Sequence, residues 1–89
     1  MTTVAVDYNL DVAGAAELEK ELMHAQPTDG EVVVDLSNVK FVASSGLRVL
    51  LKSAQRLSRA KADLVVTNAS QTVLEVLRMS GFDRLITVR

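Results

Sequence analysis

Residues 31–57 read EVVVDLSNVKFVASSGLRVLLKSAQRL and predict a strand, a loop and a helix, in that order. The valines at 32–34 do not alternate with polar residues, which indicates a strand covered on both faces. Ser37 and Asn38 are typical loop residues. After them, apolar residues recur at helical spacing, so that one predicted core face carries Leu47, Leu50, Leu51, Ala54 and Leu57.

One strand and one helix are predicted before this stretch. Residues 4–8 read VAVDY and favour a strand. From Ala15 onward, apolar residues at helical spacing predict a helix, and Asp11 is a residue type that caps helix N-termini.

A second set of elements follows the stretch. Residues 63–67 predict a strand, residues 72–80 a helix that ends at Gly81, and residues 85–88 a last strand. The order is therefore β-α-β-α-β-α-β, which predicts an α/β fold with a central mixed, mostly parallel sheet of about four strands and helices packed against it. With 89 residues and no linker, we expect a single domain over residues 1–89.

The composition narrows the classes of function. The chain has no cysteine, one histidine (His24) and a net charge of −1. We therefore expect no metal site, no cofactor, and no charge-driven binding of nucleic acid. No apolar run reaches the roughly 20 residues of a membrane span, and the start lacks the pattern of a signal peptide. We expect a cytoplasmic protein without direct membrane insertion.

Three segments resemble the STAS family of domains. Residues 35–47 resemble its signature, in which a strand ends in D-L-S and the sequence D-S/T-S/T/A-G-L opens a helix. Residues 64–86 are similar to its last strand–helix–strand unit, and Leu10-Asp11 resembles the motif before its first helix. The resemblance covers almost the whole chain and is closest to the shorter members, since the extra first strand of longer members has no room here. Ala43 stands where the family usually has aspartate.

The resemblance implies an anti-sigma-factor antagonist, a bacterial partner-switching module in signal transduction and transcription regulation. Such a module is a binding partner and not an enzyme, and it has no catalytic residues. Its expected partners are a GHKL-type anti-sigma factor with serine kinase activity and a PP2C-type phosphatase. Phosphorylation would block binding of the first partner, and the phosphatase would restore it. The family's phosphoacceptor corresponds to Ser44, with Ser45 as the neighbouring possibility.

The expected partner surface surrounds this pair of serines and comprises Asp11, Ala43, Gly46, Leu47 and Arg48. A phosphate at a helix start would lie near free N–H groups and the positive end of the helix dipole. Gly46 would let another chain approach the backbone closely.

Simpler interpretations of the same residues stay open. Ser44 and Ser45 could only cap a helix, Gly46 could ease a turn, and Asp11 could be an N-cap. The basic stripe of Arg48, Lys52, Arg56 and Arg59 could be a solvated helix face or the rim of a site for an acidic partner.

Two other functions compete with the regulatory one. The domain could be an unphosphorylated STAS subunit of a cytoplasmic complex such as a lipid-transport ABC ATPase assembly, a role that Ala43 favours. It could also be a sensor of a small nucleotide ligand, which ranks last because no phosphate-binding loop occurs in the sequence.

Overall fold

The computed structural model describes residues 2–89, in which the four strands form one sheet in the order β1-β2-β3-β4. All three pairings between these strands are parallel. The predicted α/β fold is therefore confirmed. The elements in chain order are β1 (Thr3–Ala5), α1 (Val12–His24), β2 (Glu31–Asp35), α2 (Ser44–Arg59), β3 (Asp63–Thr67), α3 (Gln71–Met79), a 3₁₀ turn (Phe82–Arg84) and β4 (Thr87–Val88).

The three helices lie on one face of the sheet. Right-handed crossovers between strands that follow each other in order place every helix on the same side. The buried core agrees, because one cluster contains Leu18 of α1, Leu50 of α2 and Leu77 of α3 together with Val32 and Val34 of β2. The shortest extent of the molecule, 19 Å, fits one helix layer on one sheet layer, since a helix is about 10–12 Å across.

Both faces of β2 are covered, as its uninterrupted valines indicated, because Val32, Val33 and Val34 are all buried. Successive side chains of a strand alternate between the faces, so Val33 points away from Val32 and Val34. It lies outside the core cluster, in one row across the sheet with Thr3, Val65 and Thr87. On this second face Val33 is 5% exposed and Val65 has no exposed surface, so the face is covered although the three helices lie on the other side of the sheet.

Polar groups occupy much of the second face. Arg89, which follows β4, forms an ion pair with Glu31 of β2, with 2.7 Å between Nη2 and Oε2. By strand alternation both residues belong to the face of Val33, so the ion pair crosses β3 there. The ion pair therefore lies across the strand that carries the fully buried Val65.

The core face of α2 is rotated slightly from the predicted one. Leu50 and Leu57 are buried as expected, and Val49 and Ser53 are buried beside them. Leu51 is half-buried and lies outside the core cluster, so its assignment to the core is wrong. The physical reason is that α2 packs on α1 as well as on the sheet. This packing turns the side of the helix that carries Gly46, Val49 and Ser53 inward.

Candidate functional site

The N-termini of α1 and α2 are held next to each other by the two loops that precede them. Because the strands are parallel, both helices begin at the same edge of the sheet. The amide of Leu10 donates to the carbonyl of Phe41 at 3.0 Å, and the amide of Ala43 donates to the carbonyl of Leu10 at 2.8 Å. The amide of Lys40 also donates to Oδ1 of Asn9 at 2.9 Å. These bonds place Asp11 and Ala43, the N-caps of the two helices, in neighbouring positions.

The three helix starts differ in their capping. Asp11 caps α1, because its Oδ1 accepts a hydrogen bond from the amide of Gly14 at 2.8 Å. Ser70 caps α3 by accepting from the amide of Val73 at 3.2 Å. At α2 the N-cap is Ala43, which has the extended backbone of a cap but no side-chain acceptor. The helix therefore begins with amide groups that no side chain satisfies.

The two serines after Ala43 have different surroundings. Ser44 is the first residue of α2 and is exposed. Ser45 is half-buried, and its Oγ is buried without a hydrogen-bond partner. Neither hydroxyl caps the helix, so the simple capping interpretation of the pair does not hold.

Gly46 is buried in the interior of the same chain. A Cβ atom at this position would lie 2.8 Å from Cβ of Leu10 and 3.1 Å from its carbonyl oxygen. The close approach that the absent side chain permits is thus to Leu10, where the sequence interpretation expected another chain. Direct contact of Gly46 with a partner stays a prediction.

The remaining predicted partner residues differ in how much of each is exposed. Leu47 is half-buried and packs against the core, whereas Arg48 is exposed one helical turn after Ser44. Asp11 is exposed beside the start of α2. The structure therefore brings Asp11, Ala43, Ser44 and Arg48 to one end of the α1–α2 layer.

Two apolar residues at the same end were missed by the sequence analysis. Val12 is 76% exposed and Phe41 is 53% exposed. Val12 lines a shallow depression together with Ser45 and Arg48, and Phe41 belongs to the loop that ends at Ala43. The sequence gives little indication of such exposure, because a valine at the surface and a valine in the core are the same residue type. We call the exposed set Asp11, Val12, Phe41, Ser44 and Arg48 the junction surface.

Two ionisable groups near this end of the sheet have shifted pKa values. The carboxylate of Asp35 accepts from the amide of Ser37 at 2.9 Å and from the side chain of Asn68 at 3.3 Å. Both bonds lower the pKa of Asp35, and the bond from Ser37 has the larger effect. Burial and a 2.8 Å hydrogen bond to Glu21 raise the pKa of Tyr8.

Among residues 2–89, no group of three histidine or acidic side chains could hold a metal ion. Within the same range, no helix is long and apolar enough to pass through a bilayer.

Comparison with known proteins places the chain in a family. The family model described as "Mlab, STAS domain" matches residues 1–87, so the chain belongs to the STAS domain family. The chain is also 42% identical, over 72 residues, to the putative anti-sigma factor antagonist BtrV of Bordetella bronchiseptica. This match covers 79% of the chain and 61% of BtrV, so the chain spans about three-fifths of that relative's length.

A solved structure supports the fold. The STAS domain of a SulP transporter from Vibrio cholerae superposes with a TM-score of 0.73 and covers 98% of this chain and 71% of the transporter domain. The sequence identity is 20%, so this likeness shows the fold alone.

Proposed function

We propose that this chain is an anti-sigma-factor antagonist that uses the junction surface to bind a GHKL-type anti-sigma factor with serine kinase activity. Phosphorylation of Ser44 would block binding, and a PP2C-type phosphatase would restore it. The observation that supports this proposal most directly is the position of Ser44. This residue is exposed at the first position of α2, between the Asp11 cap and Arg48. The likeness to BtrV supports the same role. In this proposal the chain is substrate and ligand in the bacterial cytoplasm, not an enzyme.

Burial favours Ser44 over Ser45 as the phosphoacceptor. A kinase must reach the hydroxyl oxygen, and the Oγ of Ser45 is shielded from solvent. A phosphate on Ser45 would need a cavity or a frayed helix start, whereas a phosphate on Ser44 would project into water.

The start of α2 can accept a phosphate without loss of the fold. Its first amides have no side-chain acceptor, and a helix N-terminus favours negative charge. Arg48 lies four residues after Ser44, the spacing at which side chains on a helix meet. The modification would add a charge of about −1.5 to −2, which would act on the partner through repulsion and the cost of desolvation.

Mass spectrometry of the protein from its native cells tests the proposal. With phosphatase inhibited, we expect one added phosphate, assigned by fragmentation to Ser44. Ser44→Ala should abolish the added mass, while Ser45→Ala, the matched control, should keep it. A protein that stays unmodified, or that carries the phosphate on Ser45, contradicts the proposal.

A binding measurement tests the switch. Ser44→Asp should weaken binding of the kinase partner and leave the thermal midpoint of unfolding unchanged, because Ser44 makes no cap bond. Ser44→Ala should bind but escape control. A Ser44→Asp variant that melts early would instead indicate a structural role for this residue.

Two observations favour a second candidate function, a constitutive STAS subunit of an assembly such as a lipid-transport ABC ATPase. Ala43 has no side chain that could orient a serine or contact a kinase, and the matching family model carries Mlab in its description. This function requires no phosphate on Ser44. An unmodified protein that co-purifies with an ATPase through the junction surface would favour it.

A further inference from the structure

Two depressions between α1 and α2 follow each other along the helix pair, and the one that contains Val12 and Arg48 begins at the junction surface. Glu19 and Lys52 line both depressions, and their ion pair lies where the two meet. One wall comes from α1 and carries the exposed apolar residues Val12, Ala16 and Met23. The other wall comes from α2 and carries the cations Arg48, Lys52, Arg56 and Arg59. We call this feature the α1–α2 groove.

The wall formed by α1 exposes large apolar side chains to solvent. Val12 is 76% exposed and Met23 is 63% exposed, and both lie on the α1 side of the groove. Methionine and arginine, which lie side by side here, are enriched at protein–protein interfaces.

The charge of the groove is opposite to that of the molecule. The chain has a net charge of −1, yet the groove is lined by four cations and one carboxylate, Glu19. The acidic residue Glu21 of α1 is turned to the other side, where it binds Tyr8. This separation produces a local positive field that would attract an acidic partner.

Two of the cations hold the groove in shape, and two are available to a ligand. Nζ of Lys52 lies 3.0 Å from Oε2 of Glu19, and Arg56 donates to the carbonyl of Leu22 at 2.7 Å. These contacts tie α2 to α1. Within residues 2–89, Arg48 and Arg59 form no ion pair, and they mark the two ends of the basic wall.

We infer that the α1–α2 groove binds an acidic amphipathic helix of the protein partner. Apolar residues on one side of that helix would contact Val12 and Met23, and its carboxylates would pair with Arg48 and Arg59. The inference deepens the proposed function, since it names the chemistry of the partner segment. Arg48 would then serve both the partner and a phosphate on Ser44, so phosphorylation would remove one cation from the groove.

The dimensions and the charge distribution fit a helix and argue against nucleic acid. α1 has 13 residues and therefore extends for about 20 Å, which four turns of a partner helix would match. Binding of nucleic acid depends on neutralising several phosphates, and the net charge of −1 of the whole chain would not favour it.

Photo-cross-linking in the native cells tests the inference. The full chain would carry p-benzoylphenylalanine in place of Met23 in the groove, of Phe41 at the junction surface, or of Met79, an 89% exposed residue of α3 that serves as the matched control. We expect position 23 to cross-link to a protein segment rich in Asp and Glu with apolar residues at helical spacing. Position 79 should not give this product.

Charge reversal gives a second readout on the same cross-link. Arg48→Glu combined with Arg59→Glu should lower its yield at position 23 about tenfold, because two attractive contacts become repulsive. Arg78→Glu combined with Arg84→Glu makes the same change of net charge away from the groove and should leave the yield unchanged. A yield that falls equally in both variants would overturn the inference.

The outcomes separate the groove from the proposed switch. A cross-link at position 41 without one at position 23 would overturn the groove and leave the partner-switching function intact. A basic or neutral segment, a lipid or a nucleic acid captured at position 23 would also overturn it. A cross-link to an acidic helix in cells where Ser44 is never phosphorylated would support the groove and contradict the switch.

Discussion

Gly14 permits the tight contact between the first turn of α1 and the loop before it. A Cβ atom at this position would lie 1.9 Å from the carbonyl oxygen of Asn9 and 3.1 Å from Cδ2 of Tyr8. Helix propensity alone would favour alanine by about 1 kcal/mol. The steric effect has the opposite sign and should dominate, because a backbone atom at 1.9 Å cannot rotate away.

We therefore expect Gly14→Ala to lower the free energy of unfolding by about 1–3 kcal/mol, the usual range for overpacking. Urea denaturation followed by circular dichroism measures it. A stabilised variant would show that the loop moves without a loss of stability. Helix propensity would then determine the effect of the substitution.

Leu50 and Leu51 are a matched pair of adjacent residues with different burial. Leu50 has no exposed surface, whereas Leu51 lies outside the core cluster. Leu50→Ala should lower the free energy of unfolding by about 2–5 kcal/mol through loss of contacts and formation of a cavity. Leu51→Ala should cost about 1 kcal/mol or less. Equal losses in thermal or urea denaturation would show that the core face of α2 is assigned incorrectly.

At the scale of the element, α2 is the helix that lacks a side-chain cap at its start. The backbone of Ala43 has φ −88° and ψ 170°, which is the extended conformation of an N-cap. The family's usual aspartate would therefore occupy a position where its carboxylate can accept from the first-turn amides.

Ala43→Asp should raise the free energy of unfolding by about 0.5–2 kcal/mol, since it adds a cap and a favourable charge at the helix dipole. The control is Asp11→Ala, which removes the observed cap of α1 and should lower the stability by a similar amount. Both values come from urea denaturation. An unchanged Ala43→Asp variant beside a destabilised Asp11→Ala variant would mean that the new carboxylate does not reach the amides.

At the scale of the whole molecule, Asp35 links the ends of the two central strands. It is the last residue of β2, pairs with Thr67 of β3, and accepts a hydrogen bond from Asn68, the residue after β3. Its pKa in the folded chain is lowered, so the folded state favours the ionised form more than the unfolded state does. The resulting stability is present above the unfolded-state pKa, about 4, and is lost as the pH falls through the folded-state pKa.

Thermal melts between pH 7 and pH 2 should show this loss, and Asp35→Asn should reduce the pH dependence. Asp63→Asn, at the other end of β3, is the control and should show the same pH dependence as the native chain. A profile that Asp35→Asn does not change would show that the bonds from Ser37 and Asn68 are absent in solution.

The architecture as a whole explains where the site lies. Four parallel strands in sequential order place the starts of all helices at one edge of the sheet. The loop pairing between Leu10 and Val42 then joins the first two of these starts. The candidate site is thus a product of strand order together with two backbone hydrogen bonds.

The sequence by itself determined the fold class and the location of the serine junction. Apolar periodicity identified each helix and strand, and turn residues such as Gly81, which has φ 74°, marked where elements end. Asp11 was recognisable as an N-cap because capping is a local property of a few neighbouring residues. The segment around Ser44 was found by its resemblance to the STAS signature, and the match over residues 1–87 confirms the family.

Only the tertiary structure decided which side chains are accessible. Leu51 was misjudged because burial depends on neighbours that are distant in sequence, here the residues of α1. The same reason separates exposed Ser44 from the shielded oxygen of Ser45, although the two letters are identical. The close approach of Leu10 to Gly46 was likewise not predictable, because only tertiary packing brings the two helix starts together.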